Sequence, residues 1–207
     1  MTTILLTGFG PFSGAPFNPT ETLVRKLARE RRPAGVTIVS HVFRTSYASV
    51  DRELPALLRE HQPDAMLMFG LAQRTPHLRI ETVARNALGR LADVDRVAPS
   101  GRIAVGAPHS LPLRTPGPAL LAAARGARVE AALSRDAGRY LCNYLCWRAT
   151  ETAERAGGPR LAAFVHVPLV PRASRPRRAR QKRRIALPDL VRAGRGFLRA
   201  VAAAAAR

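Results

Sequence analysis

The sequence has 207 residues, a length that fits one domain able to bury a core without disulfides or a structural metal. Its apolar runs, such as MLMF and AAFV, are all much shorter than the roughly 18 residues that a membrane helix needs, which excludes a bilayer span. The start, MTTILLTGFGPF, lacks the pattern of a secretory signal, and the two cysteines form neither a C-x-x-C motif nor a disulfide framework. We predict one domain over residues 1–207, located in the cytoplasm with reduced thiols.

The chain is strongly basic, with 34 Lys and Arg against 14 Asp and Glu and a formal charge of +20. Such a charge is typical of proteins that bind nucleic acid or another polyanion. Lysine occurs only at Lys26 and Lys182, however, so the excess is nearly all arginine and is also explained by codon bias. Eight of the basic residues lie in Arg172–Arg184, which contains no acid. This segment is either a polyanion-binding element or a solvated surface connector.

Predicted strands and helices alternate along the chain. Apolar or β-branched runs predict strands at 4–7, 35–47, 64–70, 78–84, 129–134 and 162–170. Helical spacing predicts helices at 18–32, 49–62, 119–127, 138–156 and 187–205, the first capped by Asn18 or Thr20, and Pro55 should lie near the first turn of the second or kink it. Residues 87–118 have no sustained period, which indicates a long loop with a short hairpin. The alternation favours a single-domain α/β/α sandwich with a mostly parallel central sheet.

Three residue types suited to catalysis occur at informative positions. Cys142 follows the Ala137–Gly138 turn into a helix, where the helix dipole favours a thiolate. His166 ends an apolar strand, and open α/β sheets bind ligands beyond the carboxyl ends of their strands. Glu81 lies in a strand pattern, where its carboxylate is either solvent-exposed or paired. Each residue alone also fits a structural role, since cysteine and histidine are commonly buried in cores. Cys146, one turn after Cys142, is expected to be a packing residue.

Metal and nucleotide sites are not predicted. None of the five histidines is spaced from another histidine or a cysteine as zinc ligands are. The glycine turn TGFGPFSG lacks both the dinucleotide-binding spacing and the Lys-Ser/Thr ending of a phosphate loop. We therefore expect no metal and no cofactor.

Four blocks of the sequence follow the motif order of a known family. TGFGPFSGAPFNPT, IETVARN, AGRYLCNYLCW and FVHVPLVP resemble the signature blocks of pyroglutamyl peptidase I, also called pyrrolidone carboxyl peptidase. LPDLVRAG resembles the closing helix of that family. The resemblance covers residues 4–170 and implies an α/β/α sandwich, in agreement with the alternation of strands and helices. It also implies a cysteine peptidase that removes N-terminal pyroglutamate from peptides.

By this resemblance the catalytic residues are Cys142 as the nucleophile, His166 as the general base and acid, and Glu81 as the residue that orients His166. The same resemblance assigns five substrate-binding positions. Phe9 and Phe12 would line an apolar pocket for the lactam ring, Asn18 would position their loop, and Tyr140 and Leu141 would form part of the pocket wall.

The chain departs from the family pattern in three loops, at 73–79, 87–118 and 134–136. The alternative function is therefore a catalytically impaired family member that binds nucleic acid or another polyanion through Arg172–Arg184. The run has no interleaved aromatic residues, which single-strand binders use for stacking. The sequence leaves open whether the protein forms a homo-oligomer.

Overall fold

The computed structural model describes residues 1–31, 33–155, 157–170 and 184–207. Apart from Arg184, the predicted basic segment Arg172–Arg184 lies outside the described residues. The described strands are β1 Thr2–Phe9, β2 Val36–Phe43, β3 Ala65–Leu71, β4 Leu78–Glu81, β5 Val83–Arg85, β6 Ser110–Pro112, β7 Ala131–Ser134 and β8 Leu161–Val167. The described helices are α1 Pro19–Arg29, α2 Tyr47–His61, α3 Gly117–Gly126, α4 Leu141–Ala153 and α5 Leu187–Ala205.

Six strands form the central sheet in the order β2-β1-β3-β8-β4-β7. Four of the pairings are parallel, and the pairing of β4 with β8 is antiparallel. The apolar runs of β1, β3 and β8 lie in the middle of the sheet, as expected for strands buried on both faces. The predicted, mostly parallel sheet is confirmed.

Helices cover both faces of the sheet and enclose two separate cores. On one face α1, α3 and α5 pack through residues such as Leu27, Leu120 and Phe197. On the other face α2 and α4 pack through Leu54 and Trp147. The predicted α/β/α sandwich is therefore confirmed. None of the helices in the described ranges is long and apolar enough to span a membrane.

The prediction of one strand over 78–84 is wrong, because the chain changes sheet after Glu81. Strand β4 stays in the central sheet, whereas β5 pairs antiparallel with β6 in a small separate sheet. Thr82 is the junction: its N–H donates to the Ser134 carbonyl, and its own carbonyl accepts from the Leu113 N–H. The loop predicted over 87–118 contains β6 and the start of α3, and the hairpin predicted within it is wrong, because β6 pairs with β5, which precedes the loop.

Local chemistry explains where three helices begin. Asn18 caps α1 by accepting from the Thr20 N–H, which decides between the two predicted caps. Ser46 caps α2, and Pro55 lies inside that helix rather than in its first turn. Helix α4 begins at Leu141 and not at Gly138, since Gly138 has a φ of 84°, in the left-handed region that glycine favours and that a helix does not use.

Candidate active site

Glu81 and His166 meet on neighbouring antiparallel strands. His166 Nδ1 and Glu81 Oε1 are 2.8 Å apart, and both side chains are almost fully buried. In the ladder Glu81 lies opposite Phe164 and Arg79 lies opposite His166, so Glu81 reaches His166 along the diagonal. Alternate residues of a strand share a face, and Phe164 packs in the core on the α2 and α4 side. The side chains of Arg79, Glu81 and His166 therefore point to the same side of the sheet.

Cys142 approaches His166 from the first turn of α4, where it is the second helical residue. Its sulfur lies next to Gly70, the residue that pairs with His166 in the sheet, and its side chain is half-buried. Phe164 packs edge-on against the His166 ring, with centroids 5.0 Å apart. Since Nδ1 is engaged by Glu81, Nε2 is the nitrogen left for the thiol. The structure thus brings Cys142, His166 and Glu81 together, although they come from three separate elements.

The charges of the three side chains stabilise one another. Burial opposes protonation of His166, but the negative charge and hydrogen bond of Cys142, together with Glu81, raise the pKa of His166 to about 9. Burial also opposes ionisation of Glu81. Its pKa is nevertheless held below the usual value by the hydrogen bond and the charge of His166, and further by the Ser134 hydroxyl and the charge of Arg79. The site therefore favours an imidazolium at His166 beside the ionised carboxylate of Glu81, an arrangement suited to acyl transfer by a thiol.

The first turn of α4 also supplies backbone N–H groups beside the thiol. Tyr140, the N-cap residue, makes no side-chain capping bond. Among the described residues no hydrogen-bond acceptor reaches the N–H groups of Leu141, Cys142 and Asn143. Such free donors at a helix start bind anions, including an oxyanion that forms next to the sulfur.

The predicted substrate-binding residues lie in two segments, one that runs from the end of β1 to the start of α1 and one at the start of α4. Phe12 is half-buried, and its ring centroid is 6.2 Å from that of Tyr140. Phe9 is 2% exposed and packs against Phe43, so it supports the site from within the core. Leu141 is likewise buried in the α2 and α4 core.

Asn18 acts on the loop between β1 and α1 and not on the open side of the site. It is 3% exposed, and its Nδ2 donates to the Gly10 carbonyl, which also accepts from Thr45 Oγ1. Its Oδ1 accepts from the Thr20 hydroxyl as well as from the Thr20 N–H. These bonds fix the turn that carries Phe12.

Sequence reasoning missed three residues that shape this site. Gly70 pairs with His166 in the sheet, and a Cβ added to it would lie 2.7 Å from Cys142 Sγ. Asn143 is fully buried and binds the backbone N–H and carbonyl of Arg85, which fixes α4 to β5. The buried Tyr47 hydroxyl has no hydrogen-bond partner among the described residues, and its ring packs on Tyr140. A glycine inside an apolar strand was the one available signal, since it commonly marks a close approach.

Cys146 has the packing role expected for it. It is fully buried in the core between the sheet and α4, and burial raises the pKa of its thiol well above the usual value. Within the described ranges, no group of three or more His, Cys, Asp or Glu side chains is placed to hold a metal ion.

Comparison with known proteins agrees with this geometry. The sequence model of the pyroglutamyl peptidase family matches residues 2–203. The chain belongs to the pyroglutamyl peptidase family. Members of this family are hydrolases that act as omega-peptidases.

Curated pyroglutamyl peptidase relatives align over most of the chain. The pyrrolidone-carboxylate peptidase of Thermococcus onnurineus is 33% identical over 169 residues, which is 81% of this chain and 84% of the relative. That of Clavibacter michiganensis is 34% identical over 170 residues, covering 81% and 79% respectively.

Solved pyroglutamyl peptidase structures share the whole fold. The pyrrolidone carboxyl peptidase of Thermococcus litoralis superposes with a TM-score of 0.87 at 27% identity, covering 97% of this chain and 93% of its own. The pyroglutamyl peptidase I of Bacillus amyloliquefaciens gives a TM-score of 0.84 at 27% identity, covering 100% and 98%.

Proposed function

We propose that this chain is a cysteine peptidase that removes N-terminal pyroglutamate from peptides, with Cys142, His166 and Glu81 as its catalytic set. The observation that carries the proposal is the 2.8 Å contact between His166 Nδ1 and Glu81 Oε1, with Cys142 close to the same ring. A nucleophile, a base and a carboxylate that orients the base form the arrangement that acyl transfer by a thiol needs.

Acylation uses the thiol as the nucleophile. Cys142 Sγ attacks the carbonyl carbon of the pyroglutamyl residue, and the proton of the thiol resides on His166 Nε2. The carbonyl oxygen becomes an oxyanion next to the free N–H groups at the start of α4. When the carbon–nitrogen bond breaks, His166 gives its proton to the departing amine, leaving a pyroglutamyl thioester on Cys142.

Deacylation reverses these roles with water in place of the peptide. Neutral His166 accepts a proton from water, whose oxygen attacks the thioester carbonyl. The carbon–sulfur bond breaks, pyroglutamic acid leaves, and the sulfur again shares the proton with His166. Throughout, Glu81 keeps the Nδ1–H tautomer and stabilises the imidazolium.

The proposed substrate pocket is formed mainly by aromatic and apolar side chains. Pyroglutamate has no free amine, so a suitable pocket is neutral and largely apolar. Phe12 and Tyr140 are half-buried and present part of their rings, while Phe9, Leu141 and Asn18 are buried behind them. We propose that these five residues form the substrate-binding region, with Phe12 and Tyr140 in contact with the substrate and Phe9, Leu141 and Asn18 holding them in place.

The proposal treats residues 1–207 as one peptidase domain acting in the cytoplasm, where free thiols stay reduced. Cell fractionation tests the location. Sedimentation of the purified protein will determine whether it acts as a monomer or as a homo-oligomer.

Release of a chromogenic amine from its pyroglutamyl derivative tests the activity. The matched control substrate is the prolyl derivative, whose ring carries a charged amine in place of the neutral lactam. We expect the wild type to cleave the first and not the second, and Cys142→Ala to cleave neither. Wild-type protein that is folded and alkylatable at Cys142 but leaves the pyroglutamyl derivative intact would contradict the proposal.

A second candidate function, polyanion binding, is supported by a basic groove. The groove, about 670 Å³ in volume, lies between the end of α1 and the start of α5. It is lined by one acid, Glu30, and five cations: Lys26, Arg29, Arg31, Arg192 and Arg195. Glu30 and Arg195 pair with each other, whereas Lys26, Arg29 and Arg31 have no ion-pair partner among the described residues. We propose that the groove and Arg172–Arg184 together bind the phosphate backbone of nucleic acid.

Salt-dependent binding of a single-stranded oligonucleotide tests this second candidate. Replacing Lys26, Arg29 and Arg31 by glutamine should weaken binding and reduce the salt slope by about one per lost phosphate contact. Replacing the arginines of Arg172–Arg184 by glutamine should do the same, with peptide hydrolysis kept within about threefold because remote charges are screened. The matched control replaces three other exposed residues, Arg59, Arg96 and Arg102. An equal loss in the control would mean that only total charge matters, and the groove would have no specific role.

A further inference from the structure

The Arg79 side chain connects the buried carboxylate of Glu81 to the turn that precedes Cys142. Arg79 Nη2 lies 3.3 Å from Glu81 Oε1, the same oxygen that contacts His166. The guanidinium also donates to Ser134 Oγ, from Nε at 3.2 Å and from Nη2 at 2.7 Å. A further bond runs from Nη2 to the Asp136 carbonyl. One side chain thus contacts both β4 and the segment after β7.

Glu81 needs a cation besides His166 because it is completely buried. Its side chain is 0% exposed, and Oε2 has no hydrogen-bond partner among the described residues. Burying a carboxylate costs free energy when one of its oxygens accepts no hydrogen bond, unless a nearby positive charge stabilises the carboxylate. Arg79, which is only 25% exposed, is the one arginine or lysine that the described residues place within ion-pair distance of Glu81. Burial opposes the ionisation of Glu81, but His166 and, to a smaller extent, Ser134 and the charge of Arg79 hold the pKa of Glu81 below its usual value.

The turn held by Arg79 leads directly to the proposed nucleophile. Ser134 Oγ accepts from the Asp136 N–H, and Asp136 Oδ1 accepts from the Gly138 N–H. Gly138 is the left-handed residue after which the chain enters α4, with Cys142 as its second residue. Arg79 therefore ties the position of Glu81 to the segment that sets the start of α4.

We propose that Arg79 is a positioning residue for the Cys142, His166 and Glu81 site: its charge keeps Glu81 ionised towards His166, and its remaining N–H groups hold the 134–138 turn. The inference rests on the proposed function, because the effect on catalysis requires that these three residues perform it. The groups that face Glu81 are His166 from β8, Arg79 from β4, Ser134 from β7 and Cys146 from α4.

Two substitutions separate the charge of Arg79 from its hydrogen bonds. Arg79→Gln removes the charge, so Glu81 should take up a proton more readily. The acidic limb of the kcat/KM profile should then move to higher pH by about half a unit or more, with kcat/KM at neutral pH about tenfold lower. Arg79→Lys keeps the charge but has a single nitrogen. This variant should keep the acidic limb in place. Its kcat/KM should be about threefold to tenfold lower, because it makes fewer hydrogen bonds to the 134–138 turn.

Arg85→Gln is the matched control. Arg85 Nη1 lies 3.3 Å from Asp136 Oδ1, so it contacts the same turn, and among the described residues it has no contact with Glu81 through its side chain. Its replacement should leave the acidic limb unmoved and kcat/KM within about twofold, because exposed ion pairs contribute little. An unmoved acidic limb in folded Arg79→Gln, or an equal loss in Arg85→Gln, would overturn the inference. If Arg79→Gln does not fold, Arg79→Lys decides the question. A wild-type rate in Arg79→Lys would overturn the inference, whereas a lower rate with the acidic limb of the kcat/KM profile unmoved would support it.

The pH dependence of Cys142 alkylation by iodoacetamide separates this inference from the proposed function. Alkylation needs no substrate and reports the thiolate that the His166 imidazolium stabilises. If Arg79→Gln shifts the alkylation profile while wild-type protein cleaves no pyroglutamyl substrate, the proposed function is wrong and the role of Arg79 stands. If wild-type protein cleaves the substrate and neither profile shifts in Arg79→Gln, the role of Arg79 is wrong and the proposed function stands.

Discussion

Gly70 leaves open the space that the Cys142 sulfur occupies: a Cβ atom on residue 70 would lie 2.7 Å from Cys142 Sγ and 2.6 Å from Phe164 Cζ. Both distances are shorter than atoms in a folded protein tolerate, so the sheet under the thiol must lack a side chain at this position. Because Gly70 pairs with His166 across β3 and β8, the same backbone position sets how closely the sulfur approaches the imidazole.

Gly70→Ala should therefore reduce turnover far more than it affects folding. The added methyl group must push Cys142 or Phe164 aside, and a displacement of about 1 Å at a reacting group costs roughly a hundredfold in rate. Overpacking of this kind lowers the free energy of unfolding by about 1 to 3 kcal/mol. Steady-state kinetics and urea unfolding measure the two effects. Gly126→Ala is the control, since a Cβ there meets nothing within 4 Å, and it should keep wild-type turnover.

Cys142 should be the thiol that reacts with a stoichiometric alkylating agent near neutral pH. It is half-buried beside His166, whereas Cys146 is fully buried and burial raises the pKa of its thiol. Peptide mapping by mass spectrometry should find the label on Cys142, with activity lost in proportion. Cys146→Ala should keep both the label and most of the activity, and label found mainly on Cys146 with activity retained would reject this assignment.

Glu81→Gln should lower turnover by about a hundredfold or more while leaving the fold and Cys142 in place. The amide still bonds His166 Nδ1, but it cannot stabilise an imidazolium and it permits the wrong tautomer. Kinetics with the pyroglutamyl derivative measure the loss, and circular dichroism checks the fold. Unchanged turnover would show that Glu81 is only a structural carboxylate.

The alkaline limit of hydrolysis should follow the titration of His166. Burial opposes its protonation, but Cys142 and Glu81 raise its pKa from 6.5 to about 9. The proton that the leaving amine needs is therefore present below that pH and lost above it, so kcat/KM should fall as pH rises through about 9. In Glu81→Gln one stabilising charge is gone, and the alkaline limb should move to lower pH.

The stability of the fold should also decrease as pH rises through the titration of His166. Since the pKa of His166 is higher in the folded chain than in the unfolded one, its protonation stabilises the fold fully below about pH 6.5 and ceases to do so as pH rises through about 9. Thermal unfolding of the wild type between these values should show a falling Tm, with a smaller fall in Glu81→Gln. A Tm that falls equally in both proteins would mean that other groups control the alkaline loss.

Features that depend on near neighbours along the chain could be predicted from the sequence. Apolar runs located β1, β3 and β8 because such runs must be buried wherever the chain takes them. The Ala137–Gly138 turn predicted that Cys142 lies near the start of a helix, and Gly138 adopts the left-handed conformation that glycine favours at such a turn. The order of the motif blocks predicted which cysteine, histidine and glutamate come together.

Features that depend on partners far along the chain became visible only in the folded protein. Strand β4 pairs antiparallel with β8, and no local sequence pattern specifies that direction. Because of it, Arg79 lies directly opposite His166, and Glu81 contacts His166 diagonally. The division of 78–84 after Glu81 depends on Ser134 and Leu113, which supply the bonds that turn the chain at Thr82. The need for glycine at residue 70 likewise comes from a sulfur 72 positions away, and packing between such distant residues is set by the folded chain as a whole.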